Sequence, residues 1–159
     1  MDSEVSLHPH TSRNPYHVEG SGYPVLQRSV FAYFDILGYV GMVQAAYAVG
    51  AQSLALIKIH DALTGGREWL EEKHFANEFH SAFRKDRFAL KAFTDNIAIG
   101  WPVRDNAEAE LGDAFGKLID FQFHMSLAGF FVRGAIAIGE AYVDDVAVFG
   151  NALLEAHDA

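Results

Sequence analysis

Asp35 and Asp95 are the residues of this 159-residue chain best placed to do chemistry. Asp35 directly follows Ser29-Val30-Phe31-Ala32-Tyr33-Phe34, an aromatic and β-branched run that reads as a buried strand. Asp95 belongs to Thr94-Asp95-Asn96, which has tight-turn composition and separates two strand-like runs, 88–93 and 97–101. Two carboxylates meeting at one sheet edge suit a hard divalent cation. Mg²⁺ and Mn²⁺ prefer oxygen ligands, and Mg²⁺ is usually held by one or two carboxylates plus substrate phosphates. Two such ions about 3.5–4 Å apart would stabilise both the attacking and the leaving oxygen of a phosphoryl transfer. Ile36-Leu37-Gly38-Tyr39 lies between Asp35 and a helix start, so its amides could cradle a polyphosphate, with Gly38 permitting close backbone approach. An aspartate after a strand and another in a hairpin turn are also what turn chemistry alone asks for.

The elements that must position these residues follow from the hydrophobic pattern. Residues 41 to about 63 carry Met42, Val43, Ala46, Tyr47, Leu54, Ile57 and Leu63 at helical spacing, with Gly50 able to interrupt the run and Gly65-Gly66 as its stop. Residues 67–80 extend it as a second helical stretch, and 102–106 is a loop. Leu111, Phe115, Leu118, Ile119 and Phe123 recur helically between about 107 and 129. A strongly buried strand covers 130–139, a further strand or hairpin turns around Asp144-Asp145, and a helix begins at Gly150. This order predicts an α+β fold of ferredoxin-like βαββαβ type, with helices on one face of a mostly antiparallel sheet. In that arrangement the end of the first strand lies beside the hairpin tip, which brings Asp35 to Asp95.

Composition narrows the function. The length is that of one domain, and 50% hydrophobic, 21% charged and 13% aromatic residues exclude a disordered or fibrous chain. The absence of cysteine removes disulfides, thiol nucleophiles, zinc ribbons and iron–sulfur sites. Twelve Lys and Arg against 21 Asp and Glu, net −9, argue against a nucleic-acid-binding surface but not against a single nucleotide held through metal ions. Residues 1–27 contain no apolar core of a signal peptide or anchor and read as a flexible, mobile or loosely docked arm preceding a domain at 28–159. Gln44, Gln52, Lys58 and His60 interrupt the longest apolar stretch, so the expectation is a cytoplasmic protein with no membrane segment. His74 and His80 miss the i, i+4 spacing of a helical metal pair and read as surface histidines, and His60 and His124 read as polar-face or hydrogen-bonded residues. Arg84-Lys85-Asp86-Arg87 is the basic cluster, a solvated loop or a triphosphate contact. Phe115, Phe121, Phe123, Phe130 and Phe131 read as core or dimer interface, and Asp144-Asp145 as a hairpin turn.

Three blocks, Phe34-Asp35-Ile36-Leu37-Gly38-Tyr39, Lys91-Ala92-Phe93-Thr94-Asp95-Asn96 and Arg133-Gly134-Ala135-Ile136-Ala137-Ile138-Gly139, resemble in order and spacing the F-x-D-I-x-G-F, K-x-x-G-D and R-x-G-I-x-x-G blocks of class III nucleotidyl (adenylate/guanylate) cyclases. Phe149-Gly150 follows at the matching distance, and the likeness covers about Arg28 to the end. Within that superfamily the chain is similar to the bacterial pyrimidine (uridylate/cytidylate) cyclases of the Pycsar anti-phage system. The resemblance implies a homodimer with active sites across the interface. It also implies cyclisation of a nucleoside triphosphate to a 3′,5′-cyclic nucleotide and pyrophosphate, a second messenger of antiviral defence. By position it makes Asp35 and Asp95 metal ligands and catalytic residues for two Mg²⁺ or Mn²⁺ ions. Ile36 becomes a carbonyl ligand, and the amides of Leu37, Gly38 and Tyr39 become phosphate contacts.

Two departures bear on substrate and catalysis. Lys91 stands where the family reads the base, but the partner position, usually an aspartate, falls on Ala147. A missing buried hydrogen-bond partner costs about 1–3 kcal/mol, so a pyrimidine is expected over ATP, with UTP ahead of CTP. The family's transition-state Asn and Arg fall on Leu154 and Asp158, which leaves Asn151, Arg133 or the 84–87 cluster as substitutes, or the metals alone, or a catalytically degenerate module that binds nucleotide or dimerises. The chain ends in that helix, where relatives continue, so a truncated domain is expected. A diguanylate cyclase is disfavoured because there is no G-G-D-E-F run.

Overall fold

The computed structural model describes residues 14–72, 88–104 and 106–159. Nine elements follow in the order β1 (Gln27–Ile36), α1 (Tyr39–Ala48), α2 (Gln52–Glu72), β2 (Ala89–Phe93), β3 (Asn96–Pro102), α3 (Glu108–Leu127), β4 (Val132–Val143), β5 (Val148–Phe149) and α4 (Asn151–Asp158). The strands form one antiparallel sheet in the order β2-β3-β1-β4-β5. The fold is therefore α+β, as the pattern predicts. No described helix is long and apolar enough to cross a membrane.

β1 is the central strand and is covered on both sides, which is why Val30-Phe31-Ala32 is a continuous apolar run instead of an alternating one. Val30, Ala32, Phe34 and Ile36 point to one face, where Ile59 and Leu70 of α2 and Phe121 and Met125 of α3 close the main core. Phe31 points to the other face and packs with Tyr16, Ala141, Val143, Ala152 and Ala156. Each such buried Val, Phe or Met contributes roughly 1.5–3 kcal/mol. The expectation that helices lie on one face is thus corrected: α2 and α3 do, while α4 covers the opposite face. Ala152 and Ala156, four apart, are small enough to let α4 settle directly on the sheet.

Other boundaries also moved. The apolar run after Gly41 breaks near Gly50, as its residue type allows, but α2 does not stop at Gly65-Gly66 and continues to Glu72. A Cβ on Gly66 would lie 2.6 Å from the Phe121 ring and one on Gly65 2.8 Å from His124 Nε2. The two glycines are a close-packing seam against α3 and not a terminator. β4 runs four residues past the expected Gly139, and its far end curls over the α4 face, where Val143 joins Ala89 and Ala98 of the hairpin strands.

From Asn14 onward the N-terminal arm is docked, not loose. Tyr16 is fully buried with its hydroxyl donating to Ser29 Oγ at 2.8 Å, and Asn14 Nδ2 donates to the Val143 carbonyl. Of the aromatic group, Phe121 and Phe130 are core, whereas Phe115, Phe123 and Phe131 are exposed. His74, His80 and the 84–87 cluster lie outside the described residues.

The core also holds an ion pair. Lys117 Nζ lies 3.2 Å from Asp113 Oδ2 and 3.7 Å above the Phe88 ring. Burial pushes Lys117 down to about 8, with Asp113 offsetting only part of the effect, and burial raises Asp113.

Two expectations follow. Gly66→Ala lowers the melting temperature despite alanine's helix preference of about 1 kcal/mol, because the methyl enters the Phe121 ring; Gly116→Ala, on the exposed face of α3 with open space at its Cβ, raises it. Thermal melts of both variants check the opposite signs. Because the folded state releases the Lys117 proton at lower pH than the unfolded chain, this group's contribution to stability grows from about pH 8 to its ordinary value of 10.5. Urea unfolding across pH 7.5–10.5 should show an alkaline rise that Lys117→Met removes; its persistence in that variant assigns it to another group.

Candidate functional site

Antiparallel pairing places Asp35 of β1 opposite Asn96 of β3 on one side and opposite Arg133 of β4 on the other. The hairpin tip folds back on the end of β1, so that the Ile36 N–H donates to the Asp95 carbonyl at 3.1 Å. Asp35 and the Asp95 turn are therefore neighbours, as the strand order requires. The Asp35 carboxylate is 28% exposed and faces the α4 side of the sheet, the side of Phe31 and Tyr33.

The two carboxylates are held differently. Asp35 is gripped by Arg133, whose Nε donates to Oδ1 at 3.0 Å and whose Nη2 donates to Oδ2 at 3.3 Å, so both oxygens are engaged. Asp95 Oδ1 accepts from Asn96 Nδ2 at 3.0 Å and lies 2.9 Å from Thr94 Oγ1, and Oδ2 carries neither contact. Asn96 Oδ1 in turn accepts the Tyr33 hydroxyl proton at 2.6 Å. Thr94 sits at φ 52°, a left-handed conformation unusual for a β-branched residue, so the turn stores strain beside the carboxylate. Burial first, then the charges of Asp35 and Asp95, hold the Tyr33 phenol above its ordinary value and keep it a donor.

The segment after Asp35 meets only part of its expectation. Gly38 has φ 76° and precedes α1, whose first turn has no side-chain cap, and a Cβ there would meet open space. The glycine is required by its backbone angle and leaves room above the helix start. The Leu37 amide, however, donates to the Phe131 carbonyl at 2.8 Å. As a phosphate contact Leu37 is therefore corrected: its N–H belongs to the backbone network, and Gly38 and Tyr39 are left as the amides at the helix start.

Lys91 and Ala147 are brought to the same place, though not by side-chain pairing. Lys91 lies on the Asp35 face, two strands from Tyr33 in the Lys91–Ala98–Tyr33 row. Its Nζ donates to the Asp145 carbonyl in the β4–β5 turn that also contains Ala147. Asp144 organises that turn, accepting from the amides of Val146 and Ala147 at 2.7 and 2.6 Å and from the Tyr142 hydroxyl. These bonds hold its carboxyl below the ordinary carboxylate range despite burial, in keeping with a hairpin-turn role.

The proposed stand-ins for the transition-state groups separate by position. Leu154 and Asp158 are both exposed on α4. Asn151 sits against Gly139, which pairs with Ser29. That is six residues up β1 from Asp35, roughly 20 Å at strand rise, so Asn151 does not reach the carboxylates. Arg133 does reach one of them, Asp35. α4 approaches the site with its last turn instead, where the His157 ring packs 5.7 Å from the Tyr33 ring.

The donor set of Asp35, Asp95 and the Ile36 carbonyl is all oxygen, which fits Mg²⁺ or Mn²⁺. Arg133 engages both oxygens of Asp35, so a metal ion there would have to displace its guanidinium. Among the described residues no cluster of three or more His, Cys, Asp or Glu is found, but a site completed by carbonyl, water and phosphate oxygens does not need one. An apolar groove of about 440 Å³ between α3 and β4 is lined by Phe115, Leu118, Ile119 and Ile136 and by no carboxylate, and Arg133 is also among its lining residues. The sequence reading singled out Asp35 and Asp95, with Arg133 only as one possible stand-in, and did not single out Tyr33 or Asn96; the available signal was that Tyr33 lies two residues before Asp35, hence on its face, and that Asn96 closes the Asp95 turn. No family model matches the sequence, and no curated protein matches it.

Arg133→Gln is expected to tighten Mn²⁺ binding a few-fold, because the metal no longer displaces a guanidinium from Asp35, an exposed contact of modest strength. Isothermal titration calorimetry on both proteins measures the change.

Proposed function

We propose that the protein is a nucleotidyl cyclase of the class III type, converting a nucleoside triphosphate, UTP ahead of CTP, to a 3′,5′-cyclic nucleotide and pyrophosphate. The observation that carries this reading is the meeting of Asp35, at the end of β1, with the Asp95 turn, beside the start of α1 at Gly38. The strand order β2-β3-β1-β4, with one helical crossover before the hairpin and one after it, supports the ferredoxin-like arrangement that cyclases use.

In this reading Asp35, Asp95 and the Ile36 carbonyl hold two divalent ions. When bound, such ions neutralise charge on the phosphates and favour ionisation of the attacking hydroxyl. The chain's own groups do the rest. The Gly38 and Tyr39 amides and the α1 N-terminus face the phosphates, where oriented N–H groups favour negative charge. Arg133, released from Asp35, would be a cation available to the reacting phosphate. Lys91 and the 144–147 turn form the base-reading end. The absence of a carboxylate at Ala147 disfavours the usual adenine-reading pair and supports a pyrimidine. A homodimer with composite sites, a cytoplasmic location and a role in antiviral signalling complete the proposal.

The exposed, uncharged Leu154 favours a second reading, a degenerate module of the same fold that binds nucleotide without turnover. Incubating the full chain with each of the four nucleoside triphosphates and Mn²⁺, with mass spectrometry of the products, separates the two. A cyclic nucleotide, lost by at least 100-fold in Asp35→Ala and Asp95→Ala with the fold retained, is the expected outcome. Thermal stabilisation by nucleotide without product supports the module, and retained activity in either variant removes the site.

A further inference from the structure

We infer that Tyr33 and Asn96 form a positioning arm that fixes the rotamer of Asp95 and presents its Oδ2 towards Asp35, and that α4 braces this arm through His157. The inference rests on the metal-site reading above and deepens it.

The geometry runs in one direction. The Asn96 amide is held at both ends: the acceptor-only Asp95 carboxylate takes its Nδ2, and its Oδ1 accepts the Tyr33 hydroxyl proton at 2.6 Å. Asn96 Nδ2 faces the turn, where it donates to Asp95 Oδ1 at 3.0 Å and approaches Thr94 Oγ1 at 3.3 Å. With Thr94 Oγ1 also beside Oδ1, the oxygens of Asp95 are no longer equivalent: one is occupied by the turn and the other is left for a ligand. Without the Tyr33 hydroxyl the Asn96 side chain loses its anchor at Oδ1, and the bond from Nδ2 to Asp95 is held from one end only. Tyr33 stands between β3 and α4, with the His157 ring against its own. The helix that carries no charged donor at Leu154 thus has a mechanical part in the site.

Groups that orient metal-binding side chains typically change metal affinity 10–100-fold when removed. Mn²⁺ titration of the full-length protein, by electron paramagnetic resonance or calorimetry with circular dichroism to confirm folding, tests the arm. Asn96→Ala should weaken Mn²⁺ binding about tenfold and Tyr33→Phe about three- to fivefold. Tyr33→Phe should have no further effect in the Asn96→Ala background, since its hydrogen-bonded route to Asp95 has gone. If wild type binds Mn²⁺ and Tyr33→Phe binds it equally well, or if the two losses are additive, the positioning arm is overturned while the metal reading stands. If wild type binds no Mn²⁺, the metal reading itself falls and takes the arm with it.

Discussion

The site depends on the register of β1 between its two antiparallel neighbours. With Asp35 opposite Asn96 on one side and Arg133 on the other, a single strand position meets a neutral donor–acceptor and a cation at once. A one-residue slip would turn Asp35 into the α2–α3 core and Phe34 out of it, because strand side chains alternate. Burial prevents that slip. Val30, Ala32, Phe34 and Ile36 are sealed beneath two helices, and Phe31 is sealed beneath α4 and Tyr16, so both faces of β1 are committed. The polar end of the strand is thus located by hydrophobic packing several residues away. Function enters where that packing stops.

The two faces have different tasks. The α2–α3 side is conventional core, closed by a glycine seam that lets the helices approach, with a buried Lys117–Asp113 pair beside Phe88. The α4 side is thinner and more polar. Alanines hold α4 to the sheet, and Tyr33, Asn96 and the β4–β5 turn occupy the remaining surface. Tyr16, Asn14 and Ser29 tie the N-terminal segment to the same side. The residues with chemical potential, Asp35, Asp95, Arg133 and Lys91, all open onto this face or its rim. The arrangement is that of a sheet with one apolar side packed under α2 and α3 and a second side that carries the polar residues of the candidate site.

Much of this was legible in the sequence because it rests on local rules. A β-branched aromatic run ending in aspartate gives a strand end, and Thr-Asp-Asn between two strand-like runs gives a turn; the antiparallel order then brings Asp35 to Asp95. What was not legible depends on tertiary contact. Gly65-Gly66 has the composition of a stop, and only Phe121 and His124 across the helix interface show that it is a seam. The Leu37 amide looked available until Phe131, distant in sequence, accepted from it. α4 carries alanines where its partner face could not be inferred. Tyr33 and Asn96 are ordinary strand and turn residues until the register aligns them.

A crystal structure with Mn²⁺ and an α,β-methylene UTP analogue, with anomalous scattering used to locate the metal, tests the account most directly. It predicts anomalous density between the Asp35 and Asp95 carboxylates, Arg133 withdrawn from Asp35 towards the phosphates, and the Tyr33–Asn96–Asp95 bonds unchanged. Density at any other place, with the Arg133–Asp35 pair intact, would contradict it.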